Sequence, residues 1–260
     1  MTLITVNFKS NVLHKSTSLC AIIPEVIENL NQTNFPVLYL LHGMGDDYTK
    51  WFRRTNIEQF ARNKKIIIIS ADFETSFYSN MAYGNNYWDF LTQELPQICN
   101  KLFPISPSPQ DHYVAGMSMG GFGAFKWGLN EPNRFHMVAS FSGVMNLNKF
   151  FKGNDTKLLK KLNLVGNNNY LTNVYQQDFG NSNLKNSPND LEYLLSQQTS
   201  LPQLFQYCGT EDPLFTINKE FSDYATSIKG TNYSFITAPG SHEWNYWNKC
   251  IKDFLNKIPV

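Results

Sequence analysis

The sequence predicts a single α/β domain: an eight-stranded, mostly parallel sheet flanked by helices. Three observations carry this expectation. Eight short strand-like runs punctuate the chain, and helix-like segments alternate with the later ones. Two of the runs, Val37–Leu41 and residues 66–69, are continuously apolar, as strands covered on both faces are.

Taken in order, residues 4–8 and 18–23 read as half-buried or edge strands joined in a hairpin. Residues 37–41 and 66–71 supply covered inner strands, and 112–116, 138–142, 204–208 and 234–237 complete the set. Residues 87–102 place Trp88, Leu91, Leu95, Ile98 and Leu102 at spacings of three and four, the period of a helix with one buried face. Further helices are expected at 119–129, 218–228 and 243–258. Strands alternating with helices after an initial hairpin require right-handed crossovers, and therefore parallel pairing. One stretch breaks the alternation. Residues 145–201 are polar and rich in Asn, too long for an ordinary connection, and are expected to form a cap or lid insertion before the acid-bearing strand.

Composition narrows the function classes. The net charge of +1 argues against nucleic-acid binding, which leaves a basic excess on one face. Aromatic residues make up 15% of the chain, too many for a disordered protein. The mean hydropathy is −0.35, and no apolar run approaches the length of about 18 residues that marks a membrane-spanning helix. Cys20, Cys99, Cys208 and Cys250 are scattered without a CxxC pair, and no signal peptide is visible, so the expected location is cytoplasmic.

The strongest motif is Gly116-Met117-Ser118-Met119-Gly120, at the junction between the fifth strand and its helix. In such a nucleophile elbow the serine occupies a strained turn, and glycines two residues away on either side remove Cβ clashes. With 15 Gly and 19 Ser in the chain, chance supplies on the order of 0.06 such motifs, so an incidental match is a poor explanation. A serine hydroxyl needs a base. Of His14, His42, His112, His136 and His242, only His242 follows a late strand at the serine's end of the sheet. His14 belongs to the hairpin, His112 and His136 open strands, and His42 is expected to brace a loop. The turn Gly209-Thr210-Glu211-Asp212-Pro213 after the seventh strand supplies the acid. Asp212 is preferred over Glu211 because Pro213 biases it toward an extended backbone. The order Ser118, Asp212, His242 is that of α/β-hydrolases.

Oxyanion donors are expected at the backbone N–H groups of Met119 and Met44, with Gly43 admitting the ester. Trp51, Phe77, Tyr78, Phe215, Trp244 and Trp247 are candidate walls for a substrate pocket, and Asp46-Asp47 is expected to organise the loop after the oxyanion turn. A zinc reading of His242-Glu243 fails because position 246 is Tyr. No other metal-ligand cluster or dinucleotide fingerprint is present, so neither metal nor cofactor is expected.

Six ordered motifs carry a family resemblance: His42-Gly43-Met44, Ser76-Phe77-Tyr78, Gly116 to Gly121, Asn189-Asp190-Leu191, Cys208 to Asp212, and Gly240-Ser241-His242-Glu243-Trp244. Together they resemble the tributyrin esterases, bacterial carboxylesterases related to esterase D and S-formylglutathione hydrolase, across residues 2–258. The resemblance implies an α/β-hydrolase fold, a Ser118–His242–Asp212 triad, oxyanion positions at Met44 and Met119, and cofactor-free hydrolysis of short acyl esters, acetyl to butyryl. The Asn-rich stretch at 163–186 departs most from the family pattern. Alternatives on the same scaffold are an S-formylglutathione hydrolase-type thioesterase and a feruloyl or sugar-acetyl esterase. A non-catalytic binding protein conflicts with the complete triad, and acyl transfer at the cell surface expects an export signal. The expected partner is a small-molecule ester, with no nucleic acid or membrane, and homo-oligomerisation is left open.

Overall fold

A computed structural model describes residues 1–25, 34–152, 169–228 and 232–259. Its centre is one eight-stranded sheet: β1 (Thr2–Lys9), β2 (Ser16–Ile23), β3 (Val37–Leu41), β4 (Ile67–Ala71), β5 (His112–Met117), β6 (Met137–Phe141), β7 (Gln203–Gly209) and β8 (Tyr233–Ala238). The strand order is β1-β2-β4-β3-β5-β6-β7-β8. β2 pairs antiparallel with both β1 and β4, and every later pairing is parallel. This is the α/β-hydrolase arrangement that the sequence predicts.

Each strand has the burial its composition requires. β3, β4 and β6 are buried along their whole length, whereas the hairpin strand β1 alternates toward solvent. Each fully buried Ile or Leu in these strands contributes about 1.5–3 kcal/mol of transfer free energy. β8 pairs only with β7, and its residues are half-buried or exposed.

Helices cover the two faces. On one side lie α1 (Lys50–Arg54), α2 (Ile57–Ala61) and a C-terminal helix, Trp244–Lys257. The C-terminal helix buries Tyr246, Trp247, Cys250, Ile251, Phe254 and Leu255, a helical stripe against β6 and β7. The opposite side carries α3 (Tyr87–Asp89), a π-helical turn (Phe90–Glu94) and α4 (Leu95–Leu102). It also carries α5 (Met119–Asn130), whose only position outside the core is its last residue, and Phe215–Ser227. Glu94 in the π turn ties down the first hairpin: it accepts the Ser10 hydroxyl, the Asn11 N–H at 2.7 Å and the Val12 N–H at 3.3 Å.

The stretch at 145–201 holds three described helices, α6 (Leu147–Lys152), α7 (Tyr170–Phe179) and α8 (Leu191–Gln197). Residues 153–168 of that stretch lie outside the described residues. The helix after β7 is α9 (Phe215–Ser227), and the C-terminal helix is α10. Among the described residues no helix is long and apolar enough to cross a membrane.

Candidate active site

Parallel strands deliver their C-terminal ends to one side of the sheet, and the chemistry-bearing residues gather there. Ser118 stands between the end of β5 and the start of α5, with φ 54° and ψ −118°. A non-glycine residue holds that conformation only where its surroundings enforce it. Here Ser118 N–H donates to the Phe141 carbonyl at 2.9 Å, and its carbonyl accepts the Gly121 N–H at 3.0 Å. The elbow glycines have a direct steric reason. A Cβ on Gly116 would lie 2.2 Å from the Gly120 carbonyl oxygen, and one on Gly120 would lie 2.2 Å from that of Leu41.

Ser118 Oγ lies 3.0 Å from His242 Nε2, and His242 Nδ1 lies 3.0 Å from Asp212 Oδ2. The Asp212 side chain is fully buried, and its Oδ1 also accepts the Leu214 N–H at 2.8 Å. The acid and base loops are stitched together by backbone bonds, Thr210 N–H to the Ala238 carbonyl and Glu211 N–H to the Gly240 carbonyl, both at 3.0 Å. Trp247 meets the His242 ring edge-on at 4.9 Å and anchors its own indole N–H on Ser142 Oγ at 3.1 Å. Glu211 is exposed, and the described hydrogen bonds of the His242 ring go to Asp212 and Ser118 instead. The carboxylate can hold the imidazole with its proton on Nδ1, leaving Nε2 to accept the proton of Ser118.

Gly43 and Met44 line, together with Ser118, a cavity of about 390 Å³ that Met117, Phe150, Glu243, Trp244 and Trp247 also border. The Met119 N–H opens α5, where a helix has no acceptor for its own first donors. Among the described residues the Met44 N–H has no backbone acceptor either. Asp46 also borders the cavity; burial pushes its carboxyl above the usual range, and Lys50 pairs with it at 3.2 Å. Asp47 caps the same loop by accepting the Thr49 hydroxyl at 2.6 Å and the Thr49 N–H at 2.8 Å.

The expected pocket walls divide. Trp244 and Trp247 line the cavity, whereas Trp51, Phe77, Tyr78 and Phe215 do not. Trp51, Phe77 and Tyr78 are buried in the core, and Phe215 packs toward Phe235 with ring centroids 6.3 Å apart. Large rings favour core burial wherever a helix or loop closes over them, which takes Trp51, Phe77 and Tyr78 away from the cavity. Sequence reasoning missed Phe150, which α6 brings to the cavity from the polar stretch; the Phe150-Phe151 pair was the available signal. His42 is buried and braces its loop.

The Esterase family model matches residues 10–258. The chain belongs to this esterase family. An acetyl esterase from Caldicellulosiruptor saccharolyticus is 26% identical over 99% of both chains. Two solved structures from Staphylococcus aureus superpose with it at 29% identity, each covering 99% of this chain and 98% of the other. They are fluorophosphonate-binding serine hydrolase F, with a TM-score of 0.86, and an S-formylglutathione hydrolase, with a TM-score of 0.84. The esterase is accordingly a serine hydrolase on the α/β-hydrolase fold, and its elbow serine lies at the cavity.

Proposed function

We propose that this esterase hydrolyses short-chain carboxylic esters, acetyl to butyryl, through an acyl-enzyme on Ser118. The observation that carries the reading is the Ser118–His242–Asp212 chain of 3.0 Å contacts opening into a cavity of about 390 Å³. Ser118 Oγ attacks the ester carbonyl while His242 Nε2 takes its proton. The Met44 and Met119 N–H groups receive the developing oxyanion. His242 then protonates the leaving alcohol, and a water activated by the same nitrogen releases the acid. Every step runs on groups of the chain, so the reaction needs no metal or cofactor.

Phe150, Trp244 and Trp247 support the short acyl range, because three large rings bound a small cavity. A methylene that finds buried space gains about 0.8 kcal/mol, roughly fourfold in rate, so an open trough would favour long chains. The S-formylglutathione hydrolase likeness favours a thioester as the second substrate to test. In this reading the chain is one domain, with 145–201 as a cap that places Phe150 over the site. The four free, buried cysteines favour a reducing, cytoplasmic location.

The test is a series of p-nitrophenyl esters from two to twelve carbons, run beside S-formylglutathione and methyl ferulate. kcat/KM should peak at four carbons or fewer. A fluorophosphonate probe should label Ser118 once per chain, and Ser118→Ala should abolish both labelling and turnover. A maximum at eight carbons or more would overturn the short-chain reading.

A further inference from the structure

Leu41, His42 and Gly43 are consecutive, and each of their carbonyls accepts a side-chain donor. Trp51 Nε1–H reaches the Leu41 carbonyl at 3.0 Å, the Tyr78 hydroxyl reaches that of His42 at 2.7 Å, and His42 Nδ1 lies 2.8 Å from that of Gly43. All three side chains are fully buried and absent from the cavity wall, so substrate contact does not explain them. The three donors instead converge on the turn that leads to the Met44 N–H.

The tautomer of His42 follows from its other neighbour. Phe73 N–H donates to His42 Nε2 at 2.9 Å, so Nε2 is an acceptor and the ring proton sits on Nδ1. Burial lowers the pKa of this imidazole and favours the same neutral form. Nδ1–H therefore donates to the Gly43 carbonyl. That carbonyl and the Met44 N–H belong to one planar trans peptide and point in opposite directions. Fixing the first fixes the aim of the second.

Behind Tyr78 stands a further support. Lys126, buried in α5, donates from Nζ to the Tyr78 carbonyl at 2.8 Å and to Ser79 Oγ at 2.9 Å. Tyr78 has φ 51°, in the left-handed region that a tyrosine keeps only when held there. The helix that begins beside the nucleophile thus also holds the residue that pins the oxyanion turn.

We propose that His42, Tyr78 and Trp51, with Lys126 behind Tyr78, are positioning residues that fix the Met44 oxyanion donor before substrate arrives. The proposal rests on the esterase reading above. A donor aimed in advance needs no reorganisation at the moment of reaction, which is where preorganised sites gain their rate.

Tyr78→Phe removes one oxygen and keeps the ring. It should lower kcat about tenfold and leave KM within about twofold, because the hole is used in the transition state. An aryl trifluoromethyl ketone forms a hemiketal with the serine and puts an oxyanion in the same hole. Its affinity should fall in parallel with kcat/KM, a correlation that a merely structural role would not produce. At position 42 the two amides separate the ring's functions. His42→Asn places an amide nitrogen near Nδ1 and should remain within about fivefold of wild type, while His42→Gln loses that donor and should fall about 100-fold in kcat. Tyr78→Phe with kcat and ketone affinity both unchanged would overturn the proposal, whether or not His42→Gln folds. Equal losses in the two His42 amides would overturn the assignment to Nδ1. A wild-type protein inactive on every ester would instead sink the esterase reading itself.

Discussion

Asp212→Asn changes the electrostatics of the triad while leaving its outline intact. The wild-type carboxylate accepts the Leu214 N–H at 2.8 Å on Oδ1, and His242 Nδ1 lies nearer Oδ2, at 3.0 Å, than Oδ1, at 3.2 Å. An amide offers only one acceptor oxygen. Because the Leu214 N–H can only donate, it captures that oxygen, and the amide NH₂ is turned toward Nδ1. The imidazole must then carry its proton on Nε2, and the 3.0 Å contact to Ser118 Oγ becomes a donor contact where an acceptor is needed. The same change in a serine-protease triad costs about 10⁴ in kcat through the wrong tautomer. That corresponds to about 5.5 kcal/mol of barrier at 1.36 kcal/mol per tenfold. Initial rates on p-nitrophenyl butyrate should therefore fall by about 10³–10⁴ in kcat, with KM within roughly threefold. Thermal melts should show Tm within about 3 °C of wild type, since one buried hydrogen bond is exchanged for another. Glu211→Gln should remain within about threefold of wild type, because its side chain is exposed and the described hydrogen bonds of the triad do not include it. An Asp212→Asn enzyme keeping more than a tenth of wild-type kcat would refute the tautomer argument. A large loss in Glu211→Gln alone would show that the acid is the neighbouring residue.

Two further predictions concern stability. In Gly120→Ala the new Cβ meets the Leu41 and His42 carbonyl oxygens at 2.2 and 2.7 Å, backbone atoms that cannot swing aside. Stability should drop by about 3 kcal/mol, and calorimetry should show Tm lower by roughly 6–12 °C; an unchanged Tm would mean that the elbow is looser than its contacts imply. The second concerns Asp178 of α7, whose two buried carboxyl oxygens have no hydrogen-bond partner and whose pKa burial raises to about 8, with buried Lys126 opposing the shift. The unfolded chain releases this proton near the ordinary value of 3.8, so the acid lowers stability progressively as pH rises from there toward about 8. Asp178→Asn should raise Tm more at pH 7.5 than at pH 5, and equal gains at the two pH values would contradict the linkage.

The sheet was legible because its strands carry their burial in their composition. Val37–Leu41 and Ile67–Ala71 contain almost nothing that tolerates solvent, and both are covered on the two faces. Ser118, Asp212 and His242 could be picked out because each follows a strand whose C-terminal end had to lie at the same side of a parallel sheet. The destinations of Trp51 and Tyr78 could not be read in this way. An indole or phenol presents a large apolar body and one polar atom. Local sequence does not distinguish an atom aimed at substrate from one aimed at a backbone carbonyl contributed by a segment 10 or 36 positions away. Lys126 was opaque for a related reason. It is a polar residue within an apolar helix, and its partners, Tyr78 and Ser79, are more than forty residues distant.

Ser118 and His242 have very different mechanical support. β5 has a hydrogen-bonded neighbour on each side and is buried over all but its first residue, whereas β8 closes the sheet with one neighbour and no buried position. Outer strands open at lower free energy than the whole domain, so local fraying begins there. The loop bearing His242 leaves from the end of β8, while Ser118 stays clamped between β5 and α5. On warming, such fraying would carry the imidazole away from a serine that has not moved. His242 therefore hangs from one of the sheet's two outer strands, and on heating activity should be lost before the sheet melts.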